Sequence, residues 1–267
     1  MRLGSARALP GLARLAGGLL VVFLALPPAA LILTLGAGDF VDALEGGMLA
    51  ALALSLVTTL LTAALLLLLG TPLAWWLGRR RGRAARAVEA LVRLPAVTPP
   101  AVAGVALLAA FGRGGLFGDP LAALGVGVPF TPAAVVLAQL FVAAPFYVLP
   151  LAEAFAELDE DLLWTARSLG AGPARAFFRI ALPLCGPALL GGLAVAWARA
   201  LGEFGATLVF AGNLPGVTQT LPIGIYAAME GDLGPARAMA AVLLGVAVIL
   251  FVALRSAPVE RLVGLRR

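Results

Sequence analysis

The chain has 267 residues, 62% of them hydrophobic and only 12% charged, with a net charge of +5. Soluble domains average about 45–50% apolar and about 25% charged, so a water-soluble domain with one core is excluded. His and Lys are absent and Cys185 is the only cysteine, which excludes multi-ligand zinc sites, disulfides and Ser–His–Asp or Cys–His catalysis within the chain.

A spanning helix needs roughly 20 predominantly apolar residues, and the charge-free runs have that length. In chain order they predict about six transmembrane helices, over 15–37, 50–77, 95–112, 133–152, 186–209 and 238–254, in a single all-α membrane domain. The first run follows a basic N-terminal segment, as in a secretory signal. It continues through Leu31–Leu35, longer than a usual signal core, and is read as a retained helix kinked at Pro27 and Pro28.

All 19 basic residues are arginine. Sixteen fall on one side of the six-helix arrangement: Arg2, Arg7, Arg14, Arg79, Arg80, Arg81, Arg83, Arg86, Arg93, Arg167, Arg175, Arg179, Arg255, Arg261, Arg266 and Arg267. Arg113 and Arg237 fall on the other side, and Arg199 within a span. This asymmetry follows the positive-inside rule and puts both termini and the 79–93 and 153–185 loops in the cytoplasm. It also accounts for the basic balance without nucleic acid.

Segment 153–185 is the longest polar stretch. Asp161 fits an N-cap, and Leu162, Leu163, Ala166 and Leu169 recur on one helical face before Gly170. Pro173 fits the first turn of a second short helix. There Ala174, Phe177 and Phe178 are apolar while Arg175 and Arg179 share another face, and Pro183 and Pro187 close the unit. Periodicity alone leaves two destinations for the apolar faces, a partner chain or the membrane domain itself. Cys185 reads as a small apolar residue beside the membrane.

Within this segment, Ala166-x3-Gly170-x9-Ile180-x-Leu182-Pro183 resembles the EAA loop of ABC-importer permeases, with Trp164 and Thr165 where that motif has Glu and Ala. The resemblance implies a pair of coupling helices docking on an ATPase, carried by Trp164, Thr165, Ala166, Gly170, Ile180, Leu182 and Pro183. Leu94–Gly104 with Phe111–Gly115, and Gly202–Thr207, are similar to molybdate and sulfate permeases. The stretch from Phe210 to Pro222 looks most like the molybdate branch. By this resemblance the chain is a type I importer permease for molybdate or the near-identical tungstate. It would form a homodimer with two ABC ATPase subunits at the cytoplasmic face and an external or periplasmic oxyanion-binding protein. The membrane would be a bacterial or archaeal plasma (inner) membrane. A Gly-x4-Gly-Lys-Ser/Thr phosphate loop needs a lysine, so ATP and Mg belong to the partner ATPase and no cofactor to this chain. A sulfate or thiosulfate permease is the nearest alternative, and a gradient-driven transporter or channel a more distant one.

Arg199 and Glu203 are the ionisable residues placed within a span, where an unpaired charge costs about 2.5–3.5 kcal/mol. Their i, i+4 spacing puts them on one helical face, with Thr207 a turn further on. Two roles fit: a mutually satisfied pair between helices, or a wall of the translocation gate. Past them, 217–229 is too interrupted for a span and is expected as a re-entrant or surface helix outside the membrane. Thr218, Gln219 and Thr220 would there bind either local backbone or an arriving oxyanion.

Overall fold

A computed structural model describes residues 5–256, with side chains described from 13 to 253. Arg2, Arg261, Arg266 and Arg267 lie outside the described residues, as do the side chains of Arg7 and Arg255. Every regular element among the described residues is helical. Four helices are long and apolar enough to cross a bilayer, a bent pair adds a fifth, and Pro100–Phe111 is a shorter apolar helix.

Helix α1 (Ser5–Leu33) runs unbroken through Pro27 and Pro28, and none of its described side chains is buried. A short helix, α2 (Ala37–Glu45), follows where the sequence reading ended the first span; Asp39 caps it by accepting from the Gly36 N–H at 3.0 Å. Helix α3 (Met48–Arg79) holds the second expected span. It widens into a π turn over Leu66–Gly70, just before Pro72. Pro72 has no N–H to give to the preceding turn, and a π turn absorbs that mismatch.

The expected 79–93 loop is mostly helix. After a tight turn at Gly82 (φ +131°), α4 runs over Arg83–Val97 and carries Pro95 in its interior. The break falls instead at Thr98 and Pro99, and α5 (Pro100–Phe111) resumes. Two successive prolines force the preceding residues into extended backbone, so the third span cannot be one straight rod. Short α6 (Gly118–Ala123) leads to α7 (Pro132–Ala156), whose N-cap Thr131 accepts from the Ala134 N–H.

The chain then forms α8 (Glu160–Ser168) and α9 (Pro173–Leu184). A 70° bend separates α9 from α10 (Gly186–Leu201). The fifth expected span breaks at Gly202–Phe204 before α11 (Gly205–Ala211). Helices α12 (Leu221–Met229) and α13 (Leu233–Ser256) complete the fold. Helix α12 is no surface helix: Leu221 and Ile223 are fully buried, Leu221 in one cluster with Ala51 and Met239, which also flank Gly224.

Interior polar side chains join these apolar helices. Gln139 of α7 donates to Thr58 Oγ1 and accepts from Thr62 Oγ1 of α3, both at 3.1 Å. Thr71 and Tyr147 share a 2.6 Å bond, and the Leu221 N–H reaches Ser55 Oγ at 2.7 Å. In an apolar surround such bonds, rather than hydrophobic burial, select which helices pair. Gly70 and Gly78 let α3 approach α7 closely: a Cβ on Gly78 would stand 2.5 Å from the Ala152 carbonyl oxygen.

Candidate coupling and translocation site

The 153–185 segment is a helix pair with two different sides. Asp159, not Asp161, is the N-cap of α8; its carboxylate accepts from the Asp161 N–H at 2.9 Å. Asp161 sits in the first turn, where its charge favours the helix dipole. The helix ends in a Schellman turn: the Gly170 N–H donates to the Arg167 carbonyl and the Ala171 N–H to the Ala166 carbonyl, each at 2.9 Å. Gly170 takes φ +85°, a conformation that side chains with a Cβ rarely adopt. Thus Ala166 and Gly170 are spaced as the two ends of one helix-closing motif, and the buried Ala166 must also be small.

The expected single apolar face of α8 is split. Leu163 and Ala166 are buried against the membrane domain, while Leu162, Trp164 and Leu169 point outward, with Trp164 62% and Leu169 84% exposed. Thr165 is exposed as well. The second helix repeats the division, with Ala176 buried, Phe177 half-buried and Phe178 and Ala174 exposed. Ile180 and Leu182 pack on the core cluster around Phe155 and Leu151, and Cys185 is buried in the same cluster. Pro183 does not end the helix. The chain passes it in a π turn over Phe177–Ala181 and bends only at Cys185.

Deeper in the molecule, Arg199 and Glu203 form an ion pair at 2.8 Å, but not on a continuous helical face. The helix stops at Leu201, and Glu203 lies in the break. Its Oε2 takes Arg199, and its Oε1 accepts from the Ala206 N–H at 2.9 Å, capping α11. Glu203 is 1% exposed and Arg199 34% exposed, so the carboxylate is enclosed while the guanidinium reaches the surface of the chain. Thr207 is fully buried and its hydroxyl has no hydrogen-bond partner, so it does not share that surface.

Small residues set α11 against α5. A Cβ on Gly205 would come 2.7 Å from Pro100 Cβ, and one on Gly104 2.6 Å from Val209 Cβ. At the break, Phe204 meets Tyr226 of α12 with ring centroids 5.2 Å apart. Thr218 Oγ1 accepts from the Leu214 N–H at 3.1 Å and Gln219 donates to Asn213 at 2.9 Å, which are local bonds. Thr220 is buried with its hydroxyl unpartnered. Arg237, expected in an external loop, is in the first turns of α13 and pairs with Asp39 at 3.3 Å.

Residues 70–262 match the family model of the binding-protein-dependent transport system inner membrane component. The chain belongs to this family. Its curated relatives include the molybdenum transport system permease protein ModB of Mycobacterium tuberculosis, 46% identical over 200 residues, 75% of this chain and 76% of that protein. A probable molybdenum ABC transporter permease of Haloferax volcanii is 37% identical over 253 residues, covering 92% and 90%. Among solved structures, the permease resembles a bacterial ABC transporter that imports alginate, with TM-score 0.69 at 18% identity and 96% of each chain covered. The MetNI methionine ABC transporter gives TM-score 0.55 at 21% identity, covering 87% of the permease and 100% of that chain. These likenesses agree with an all-helical importer-permease fold. The permease is a multi-pass component of the inner membrane.

Asp39, Trp75 and Phe155 are not singled out by the sequence reading. Leu169 and Phe178 are read there only as apolar-face residues, and their outward direction was partly legible: Leu169 directly precedes the helix-closing Gly170, and Phe178 sits one residue beyond the inward-facing Phe177.

Proposed function

We propose that this permease forms the translocation pathway of an ATP-driven importer for molybdate, admitting tungstate, and couples it to ATPase subunits on separate chains. The observation that carries the coupling half is the two-sided helix pair. Its inner face is fastened by Leu163, Ala166, Ala176 and Ile180, which leaves Trp164, Leu169 and Phe178 largely exposed on the outer side among the described residues. Exposed large aromatic and aliphatic side chains on a rigid element are what a docking partner buries. The motif residues then divide by role: Ala166, Gly170, Ile180, Leu182 and Pro183 shape the unit, while Trp164 and Thr165 face the partner.

Two such permeases would pair about a common pathway, with an ATPase under each and an oxyanion-binding protein at the opposite end. Both termini and the helix pair would be cytoplasmic, an orientation that the arginine distribution supports. ATP and Mg are held by the ATPase; this chain contributes no covalent chemistry. ATP binding would draw the helix pairs together and open the pathway outward, and hydrolysis would reset it. The assignment to molybdate is supported by relatives named as molybdenum transport permeases, at up to 46% identity.

In this reading the Arg199–Glu203 pair borders the gate. A lone cation would trap a divalent oxyanion, whereas an arginine offset by a carboxylate leaves a wall of donors that the anion can leave. Copurification tests the coupling half. The wild-type permease should bring its ATPase with it, and Trp164→Ala combined with Phe178→Ala should lose most of it. Retention of the ATPase at wild-type stoichiometry by that double variant would put the docking surface elsewhere.

A further inference from the structure

A docked coupling unit must be tied to the spans if its displacement is to reach the pathway. The tie runs through the last turn of α3. Arg79 Nη1 donates to the Leu158 carbonyl at 3.4 Å, in the connection between α7 and α8. Its Nη2 lies 3.7 Å from Glu160 Oε1, in the first turn of α8. Its guanidinium carbon stands 5.5 Å from the centre of the Trp75 ring, one turn back on α3. Trp75 in turn meets Phe155 of α7 and Phe177 of α9 edge-on, each with centroids 5.1 Å apart. One arginine–tryptophan unit therefore touches α7, α8 and α9 together. Its neighbours Arg80 and Arg81 are exposed to solvent.

We infer that Arg79, seated on Trp75, is a positioning residue that carries movement of the coupling helices to α3. Each contact is small alone, since an ion pair with the exposed Glu160 adds little. Their value is geometric. A planar guanidinium stacks on an indole while its edge serves a carbonyl and a carboxylate, and a lysine ammonium cannot do all three. Just beside it, the close approach of Gly78 to Phe155 and Ala152 fixes α3 against α7. A shift of α8 or α9 would then be passed to the spans as a unit rather than absorbed in the connection.

This inference rests on the coupling reading above, and transport per ATP hydrolysed tests it in reconstituted full complexes. Arg79→Ala should keep its ATPase at wild-type stoichiometry yet transport about three- to tenfold less molybdate per ATP. Arg79→Lys should fall between it and the wild type, and Arg80→Ala should match the wild type. Transport and hydrolysis falling in proportion, or an Arg80→Ala effect equal to that of Arg79→Ala, would overturn the inference. Should Arg79→Ala fail to assemble, Trp75→Leu and Arg79→Lys decide: a wild-type ratio in both rejects the tie. A wild-type complex that does not link hydrolysis to transport defeats the coupling reading itself, a separate outcome.

Discussion

Glu203 does two jobs with its two carboxylate oxygens, pairing with Arg199 and capping α11. Substitution can separate them. Glu203→Gln keeps an acceptor for the Ala206 N–H and loses the charge, whereas Glu203→Ala loses both. Because Arg199 is partly exposed and can be hydrated, the Ala variant should lose only about 1–2 kcal/mol, as for other lost caps. Thermal unfolding in detergent should therefore rank wild type, Gln and Ala in that order. If the pair borders the gate, Gln should still lower transport-coupled ATP hydrolysis severalfold while barely changing the melting temperature. Unchanged hydrolysis in Glu203→Gln would leave the pair a purely structural one. The ion pair was legible from the i, i+4 spacing. The cap was not, because it exists only where the helix breaks, and nothing in the apolar run around Glu203 marks Gly202 as the stopping point rather than a glycine within a span.

At the scale of elements, the boundaries that sequence reading located are those set by bilayer length or by a local turn. Apolar runs over 50–77 and 133–152 lie inside α3 and α7 because a lipid-spanning helix has little choice of length. Gly170 ends α8 because a left-handed turn needs it. What escaped are breaks and shared faces decided by neighbours. Pro95 lies within a helix while Pro99 ends one, and the apolar residues of α8 split between inside and outside. Arg79 is one of four arginines within five positions, and only the fold gives it contacts its neighbours lack. Two glycines test this scale. Gly170→Ala places a Cβ in a left-handed turn and should cost about 1–2 kcal/mol, read as a lower melting temperature with weaker ATPase retention. Gly205→Ala would drive a Cβ into Pro100, 2.7 Å away, and should cost about 1–3 kcal/mol by overpacking α5 against α11. A Gly205→Ala protein as stable as the wild type would mean that these half-helices are not held at that distance.

For the whole molecule, the all-helical architecture and the family were legible early, since composition excludes a soluble fold and the 166–183 spacing is specific. In the proposed reading cargo is chosen by the assembly, because an arginine offset by a carboxylate carries little preference among oxyanions of its own. ATP-dependent uptake by the permease reconstituted with its ATPase and binding protein tests the central claim most directly. Labelled molybdate should accumulate only with hydrolysable ATP, and tungstate should compete while sulfate competes poorly. Strong sulfate uptake without molybdate uptake would contradict the assignment of cargo, and uptake driven by an ion gradient without ATP would contradict the account as a whole.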